Sequence, residues 1–128
     1  MNINPVAWFE IYVNDMARAR AFYETILTLT LKPEDQVAGG EPQMWVFPST
    51  ANAPGASGAL VKTVGDELEG GGANTLVYFS CEDCDSVLDR VSANGGRVIR
   101  NKHSIGSYGF IALIEDTDGN RIGLHSLR

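Results

Sequence analysis

Apolar and polar residues alternate from the start of the chain. Residues 6–13, VAWFEIYV, predict a strand with Ala7, Phe9, Ile11 and Val13 on one face and Val6, Trp8, Glu10 and Tyr12 on the other. The period then lengthens. Met16, Ala19, Phe22, Tyr23 and Ile26 recur at helical spacing, so a helix is expected from about Met16 to Leu29 with these residues inward. Asp15 stands where a carboxylate accepts from the first free N–H groups of a helix, and Pro33 ends the pattern. Gln43–Phe47 and Gly58–Thr63 read as short strands separated by the loop PSTANAPGAS, and 66–73 reads as a linker.

The same order then returns. Thr75–Cys81 predicts a strand, Asp83 a cap, and Cys84–Asn94 a helix with Val87, Leu88 and Val91 inward, closed by Gly95-Gly96. Arg97–Arg100, Tyr108–Glu115 and Ile122–Leu127 predict three further strands, the last two joined by a tight turn at Asp118-Gly119-Asn120. Laid with Asp15 over Asp83, FEIYVND matches VYFSCED in apolar pattern. The expected architecture is α+β. It comprises two βαβββ modules, about 5–65 and about 74–128, within one domain spanning 1–128, and each is too small to bury its sheet alone.

Composition narrows the function classes. The chain has 128 residues, 44% hydrophobic and 20% charged, with a net charge of −6. This acidity argues against nucleic acid or an anionic membrane as a partner, and its ten Lys and Arg look scattered, the closest group being Arg97, Arg100 and Lys102. The first residues carry neither a basic n-region nor a long apolar run, so no signal peptide or membrane span is expected, and the cytoplasm is the expected compartment. Cys81 and Cys84 form CEDC. No Pro or aromatic residue stands between them, so structural cysteines are expected rather than a redox pair, and two thiolates alone are too few for zinc.

The opening FEIYVNDMARARAFYETIL and the closing EDTDGNRIGLHS together resemble the vicinal oxygen chelate superfamily, which includes glyoxalase I, bleomycin-resistance proteins and extradiol dioxygenases. Gly95-Gly96 and Tyr108-Gly109 add to the likeness, which covers the whole chain. The resemblance implies curled mixed sheets around an open cleft, commonly in a homodimer, with metal ligands on the first and last strands of each module. Those positions fall on Trp8, Leu76, Gly123 and a residue near Ala59, and none offers a donor side chain. No metal or other cofactor is therefore expected at the family's usual positions.

If the resemblance sets the faces, the cleft receives Trp8, Glu10, Tyr12, Leu76, Tyr78, Ser80, Gly123 and His125, while Phe9, Ile11, Val13, Val77, Phe79, Ile122 and Leu124 build the core. Trp8, Tyr12, Tyr78, Ser80 and Tyr108 are the candidate ligand-binding residues. Glu10 and His125 are the candidate catalytic acid and base, against a plainer reading in which Glu10 bonds a Tyr hydroxyl. His103 is expected in an exposed loop, Trp45 in the core, and Lys62 at a strand edge. Three functions compete. The first is metal-independent binding of a small organic molecule, including the cationic drugs that an acidic chain suits. The second is a glyoxalase-like lyase or isomerase using Glu10 and His125 or a non-standard metal site. The third is a partner-binding module with a vestigial cleft.

Overall fold

The computed structural model describes residues 4–34, 43–62 and 75–128. The linker expected at 66–73 lies outside them. Element order is β1 (Val6–Tyr12), α1 (Met16–Leu27), β2 (Lys32–Pro33), β3 (Gln43–Val46), β4 (Ser57–Lys62), β5 (Thr75–Ser80), α2 (Cys84–Val91), β6 (Arg97–Ser104), β7 (Phe110–Glu115) and β8 (Arg121–Ser126). The chain divides into two compact units, Trp8–Thr75 on one hand and Met1–Ala7 with Leu76–Arg128 on the other.

In the first unit β4 lies between β1, to which it is parallel, and β3, to which it is antiparallel; β2 closes the order beyond β3. In the second, β8 lies between parallel β5 and antiparallel β7, with β6 outermost. First strand, last, third, second: both units use one order. The repeat seen as an apolar pattern is thus a repeat of hydrogen-bonded topology, completed by the two-residue β2 that periodicity could not show.

Each helix covers one face of its own sheet. Met16, Leu31 and Leu60 form a buried cluster joined by Ile11, Val13, Ala19, Tyr23, Trp45 and Phe47. Cys84, Ala112 and Leu124 form the counterpart, joined by Cys81, Val87, Leu88 and Ile114. Trp45 is in the core as expected, with the Arg20 guanidinium 3.4 Å from the centre of its ring. Asp15 and Asp83 both cap their helices, accepting from the N–H of Arg18 (3.0 Å) and Asp85 (2.9 Å).

Several expectations need correction. Helix α1 ends at Leu27 because Thr28 turns left-handed, and α2 ends at Val91, giving way to a 3₁₀ turn over Ser92–Asn94. Phe22 and Ile26, expected inward, are exposed with Leu27, since α1 buries the Met16–Ala19–Tyr23 side instead. Phe79 was placed in the core but is 36% exposed; α2 lies over β6, β7 and β8 and leaves that edge of β5 uncovered. The strand predicted to stop at Arg100 runs on to Ser104 through two register shifts, so His103 is half-buried in β6 rather than in a loop. Tyr108 precedes β7, in a 3₁₀ turn over Gly106–Tyr108.

The β7–β8 turn is organised by a residue the turn motif did not single out. One Asp116 oxygen accepts from the N–H groups of Asp118 and Asn120, and the other from the Asn120 side-chain amide, all at 2.9 Å. These bonds, the Asn120 amide first, hold the Asp116 carboxyl below its ordinary range.

Candidate functional site

The face turned away from α1 begins with Trp8, Glu10 and Tyr12. Alternation along β1 sends all three to one side, and residues two apart on that side are close enough to bond. The Trp8 indole N–H donates to Glu10 Oε2 at 3.0 Å, and the Tyr12 hydroxyl donates to Oε1 at 2.5 Å. The second distance is that of a charge-assisted bond. Glu10, half-buried, is therefore held as an acceptor by both its oxygens, and Tyr12 is 5% exposed. Next to this triplet the register places Ser57 beside Trp8, Ala59 beside Glu10 and Val61 beside Tyr12, followed by Val46 and Met44 on β3. Apart from Glu10, this face is apolar or neutral out to Lys32 on β2.

The corresponding face of the second unit has a different chemistry. One row across the sheet reads Ser80, His125, Ile111, His103. The next reads Tyr78, Gly123, Leu113, Arg100. The third brings Arg121, Glu115 and Arg97 side by side, with the Arg97 guanidinium 3.0 Å from Glu115. Neighbouring strands stand about 4.8 Å apart, so three arginines and both histidines of the chain share one sheet face with a single carboxylate. The pattern read from sequence had grouped Arg97 and Arg100 with Lys102. The bulges in β6 send Lys102 to the helix side instead, where its ammonium meets Asp83 at 2.9 Å. Arg121, twenty-one positions beyond Arg100 in sequence, takes the place that Lys102 vacates. Only strand pairing could reveal this group, and sequence spacing hid it.

His125 is fixed within that face. Its Nε2 lies 2.6 Å from the Tyr108 carbonyl oxygen, which can only accept, so Nε2 carries a proton and, in the neutral ring, Nδ1 is the nitrogen with the lone pair. Gly109 makes this approach feasible. Its φ is +106°, and a Cβ there would strike the Ser126 carbonyl and come within 3.4 Å of His125 Nε2. The Tyr108 side chain is half exposed beside it. Ser80 pairs with His125 in register, and Tyr78, 6% exposed, lies against Gly123 so closely that any Cβ at 123 would enter its ring.

The register also settles the fourth ligand position that sequence spacing left approximate. Glu10 faces Ala59 across the parallel β1–β4 pair, and Tyr78 faces Gly123 across the parallel β5–β8 pair. Glu10 and Tyr78 align with each other in the repeat, so Ala59 is the counterpart of Gly123. Ala59 and Leu76 are fully buried, and neither they, Trp8 nor Gly123 can supply a donor atom. Among the described residues no group of three or more His, Cys, Asp or Glu side chains converges. The residues present at these positions do not fit a divalent cation.

With this geometry in place, the chain can be set beside known proteins. Residues 3–124 match the family model of the Glyoxalase/Bleomycin resistance protein/Dioxygenase superfamily, and the chain belongs to that family. Its fold is shared with methylmalonyl-CoA epimerase from Mycobacterium tuberculosis, at TM-score 0.68 and 18% identity over 97% of this chain and 88% of that one. A Streptomyces coelicolor methylmalonyl-CoA epimerase variant in complex with 2-nitronate-propionyl-CoA matches at TM-score 0.67 and 17% identity over 98% of both chains. A hypothetical protein from Bacillus halodurans matches at TM-score 0.70 and 12% identity, covering 96% of this chain and 94% of that one. No curated protein sequence matches the chain. Identities this low establish the fold and leave the activity to the site itself. No helix among the described residues is long and apolar enough to cross a membrane.

Proposed function

We propose that this chain binds a small organic anion, without a metal at the family's usual positions. The observation that carries the proposal is the basic sheet face of Arg97, Arg100, Arg121, His103 and His125 in a chain whose net charge is −6. Arginines gathered on one face with two imidazoles, against the sign of the whole molecule, favour a carboxylate or phosphate there. Tyr78, Ser80 and Tyr108 flank that face and supply the aromatic and hydroxyl contacts of a small-molecule site. The cationic drugs that overall acidity first suggested suit this face poorly.

A second reading is an isomerase or lyase that removes a proton next to a carbonyl. The Nε2 bond of His125 to the Tyr108 carbonyl favours it, because in the neutral ring that bond leaves Nδ1 as the base, on the same face as Arg121. The epimerase neighbours supply the class of substrate to try. Glu10, occupied as an acceptor by Trp8 and Tyr12, has no part in this reading.

One experiment addresses both readings. Short-chain carboxylates, dicarboxylates and acyl-CoA thioesters are titrated in D₂O, with heat and ¹H NMR as readouts. Binding confined to anions is expected, weakened about tenfold or more by Arg121→Gln, in line with a charged hydrogen bond of about 1.5–3 kcal/mol. Equal binding of neutral and cationic analogues, or indifference to Arg121→Gln, would sink the proposal. Loss of the α-proton signal that depends on His125 would establish the second reading. Sedimentation of the same samples reads the homodimer that the resemblance implies, for which exposed Phe22, Ile26 and Leu27 on α1 supply an apolar surface.

A further inference from the structure

Cys81 and Cys84 were expected to be structural, and their surroundings point elsewhere. Cys81 follows the last residue of β5 and Cys84 is the first residue of α2, so the pair stands at the strand-to-helix junction that dithiol redox motifs use. Both are free thiols, and their sulfur atoms lie 3.9 Å apart. A disulfide needs about 2.05 Å, a difference small enough for side-chain torsions to absorb. The intervening turn is held by Asp83, which caps α2 and takes the Lys102 ammonium at 2.9 Å. Access is unequal: Cys81 is half-buried and Cys84 fully buried.

We propose that Cys81 and Cys84 form a reversible intramolecular disulfide by exchange with a low-molecular-weight disulfide such as oxidised glutathione. The Cys81 thiolate attacks one sulfur of the small disulfide and expels one thiolate, leaving a mixed disulfide on Cys81. The Cys84 sulfur, once deprotonated, attacks Cys81 Sγ and expels the second. Two protein thiols lose two electrons and two protons, and one small disulfide becomes two thiols. The unequal burial fixes this order, because only Cys81 can be reached from solvent.

Burial pushes the Cys81 thiol up to about 11, aided by Cys84 and Asp83 and opposed by Lys102. Little thiolate is present at neutral pH, so exchange is slow, and a dithiol whose thiolate is not stabilised favours the disulfide once it is made. The bond would form beside the closing strand. Cys81 N–H donates to the His125 carbonyl at 2.9 Å, and Ser126 Oγ lies 3.2 Å from Cys84 Sγ. Oxidation therefore pulls on the backbone that carries His125, whatever ligand that residue serves. This inference stands apart from the anion-binding proposal.

The test equilibrates the whole chain with graded ratios of reduced and oxidised glutathione, quenches with acid, alkylates and weighs the peptide containing both cysteines. The expected product is that peptide lighter by two hydrogens, both thiols protected together, with dithiothreitol restoring them. Cys84→Ser should accumulate the glutathione mixed disulfide on Cys81, and Cys81→Ser should stay unmodified. The C2–H resonance of His125 should shift between the two states. Protein that keeps both thiols at the highest oxidant ratio, while Cys84→Ser takes up no glutathione, overturns the proposal. Disulfides formed only between molecules overturn it equally.

Discussion

The two units use one strand order and one capping aspartate, yet their helix-free faces differ in kind. On that face of the Trp8–Thr75 unit the one carboxylate among the described residues, Glu10, is occupied by its own strand neighbours Trp8 and Tyr12. In the Leu76–Arg128 unit the aligned position is Tyr78, and arginines and histidines lie further along the sheet with side chains toward the face. The first arrangement gathers its polar atoms around one acceptor, and the second sets several basic groups against a single carboxylate, Glu115. Duplicated topology has been kept for the scaffold while the two faces have been free to diverge.

The sharpest way to break the comparison is at its symmetric positions, Ala59 and Gly123. Gly123→Ala forces a methyl into the Tyr78 ring and is expected to cost about 1–3 kcal/mol of unfolding free energy, the range of overpacking. In a Tyr78→Ala background the same substitution should cost much less. Ala59→Gly acts in the opposite sense of volume. It removes a fully buried methyl and adds backbone freedom, for about 1–2 kcal/mol. Denaturant melts measure all of these. A neutral Gly123→Ala would mean that Tyr78 is not seated in that notch.

The fold was largely legible because it is written in short-range signals. Alternation in VAWFEIYV, the caps Asp15 and Asp83, and the repeated order each constrain a few neighbouring residues. Where a strand is two residues long, as β2 is, no period exists to read. The amphipathic spacing of α1 also offered more apolar positions than its sheet could cover, which is why Phe22 and Ile26 were assigned to the wrong side. The site was legible only in part. Parity placed His125, Tyr78 and Ser80 on one face, but the arginine group depends on the bulges of β6 and the pairing of β7 with β8. Those are long-range facts, and spacing along the chain gave Lys102 in place of Arg121.

A second way to sharpen the contrast is to loosen the closed acceptor of the first unit. Glu10→Gln keeps shape but gives up the charge that the Trp8 and Tyr12 donors serve. A loss of about 1–2 kcal/mol is expected, the scale of hydrogen bonds to an ionised group within the pair's shared acceptor. Thermal unfolding checks it. An unchanged melting temperature would break the assignment of Glu10 as a locked acceptor and return it to candidacy as a free acid or base.

The smallest effect separates the two caps. Lys102 bonds the Asp83 carboxylate and, with the Asp85 N–H, holds its proton affinity below the ordinary range, while Asp83 raises that of Lys102. A lowered carboxyl contributes stability that is present above its unfolded pKa, about pH 4, and lost as pH falls through the folded value. The raised lysine contributes below its unfolded pKa, about pH 10, and loses that contribution as pH rises through the folded value. Asp83→Asn keeps an oxygen to accept from Asp85 N–H and removes only the charge. Its stability should fall slightly below that of the unaltered chain between those limits and converge with it in acid. Asp15→Asn is the comparison, since among the described residues no ammonium pairs with that cap. Asp15 is exposed and Asp83 partly so, and 0.5 M salt should weaken the Asp83 difference while leaving the capping bonds intact. A gap between Asp83→Asn and the unaltered chain that persists below pH 3 would show that the substitution disturbed the turn itself rather than the ion pair.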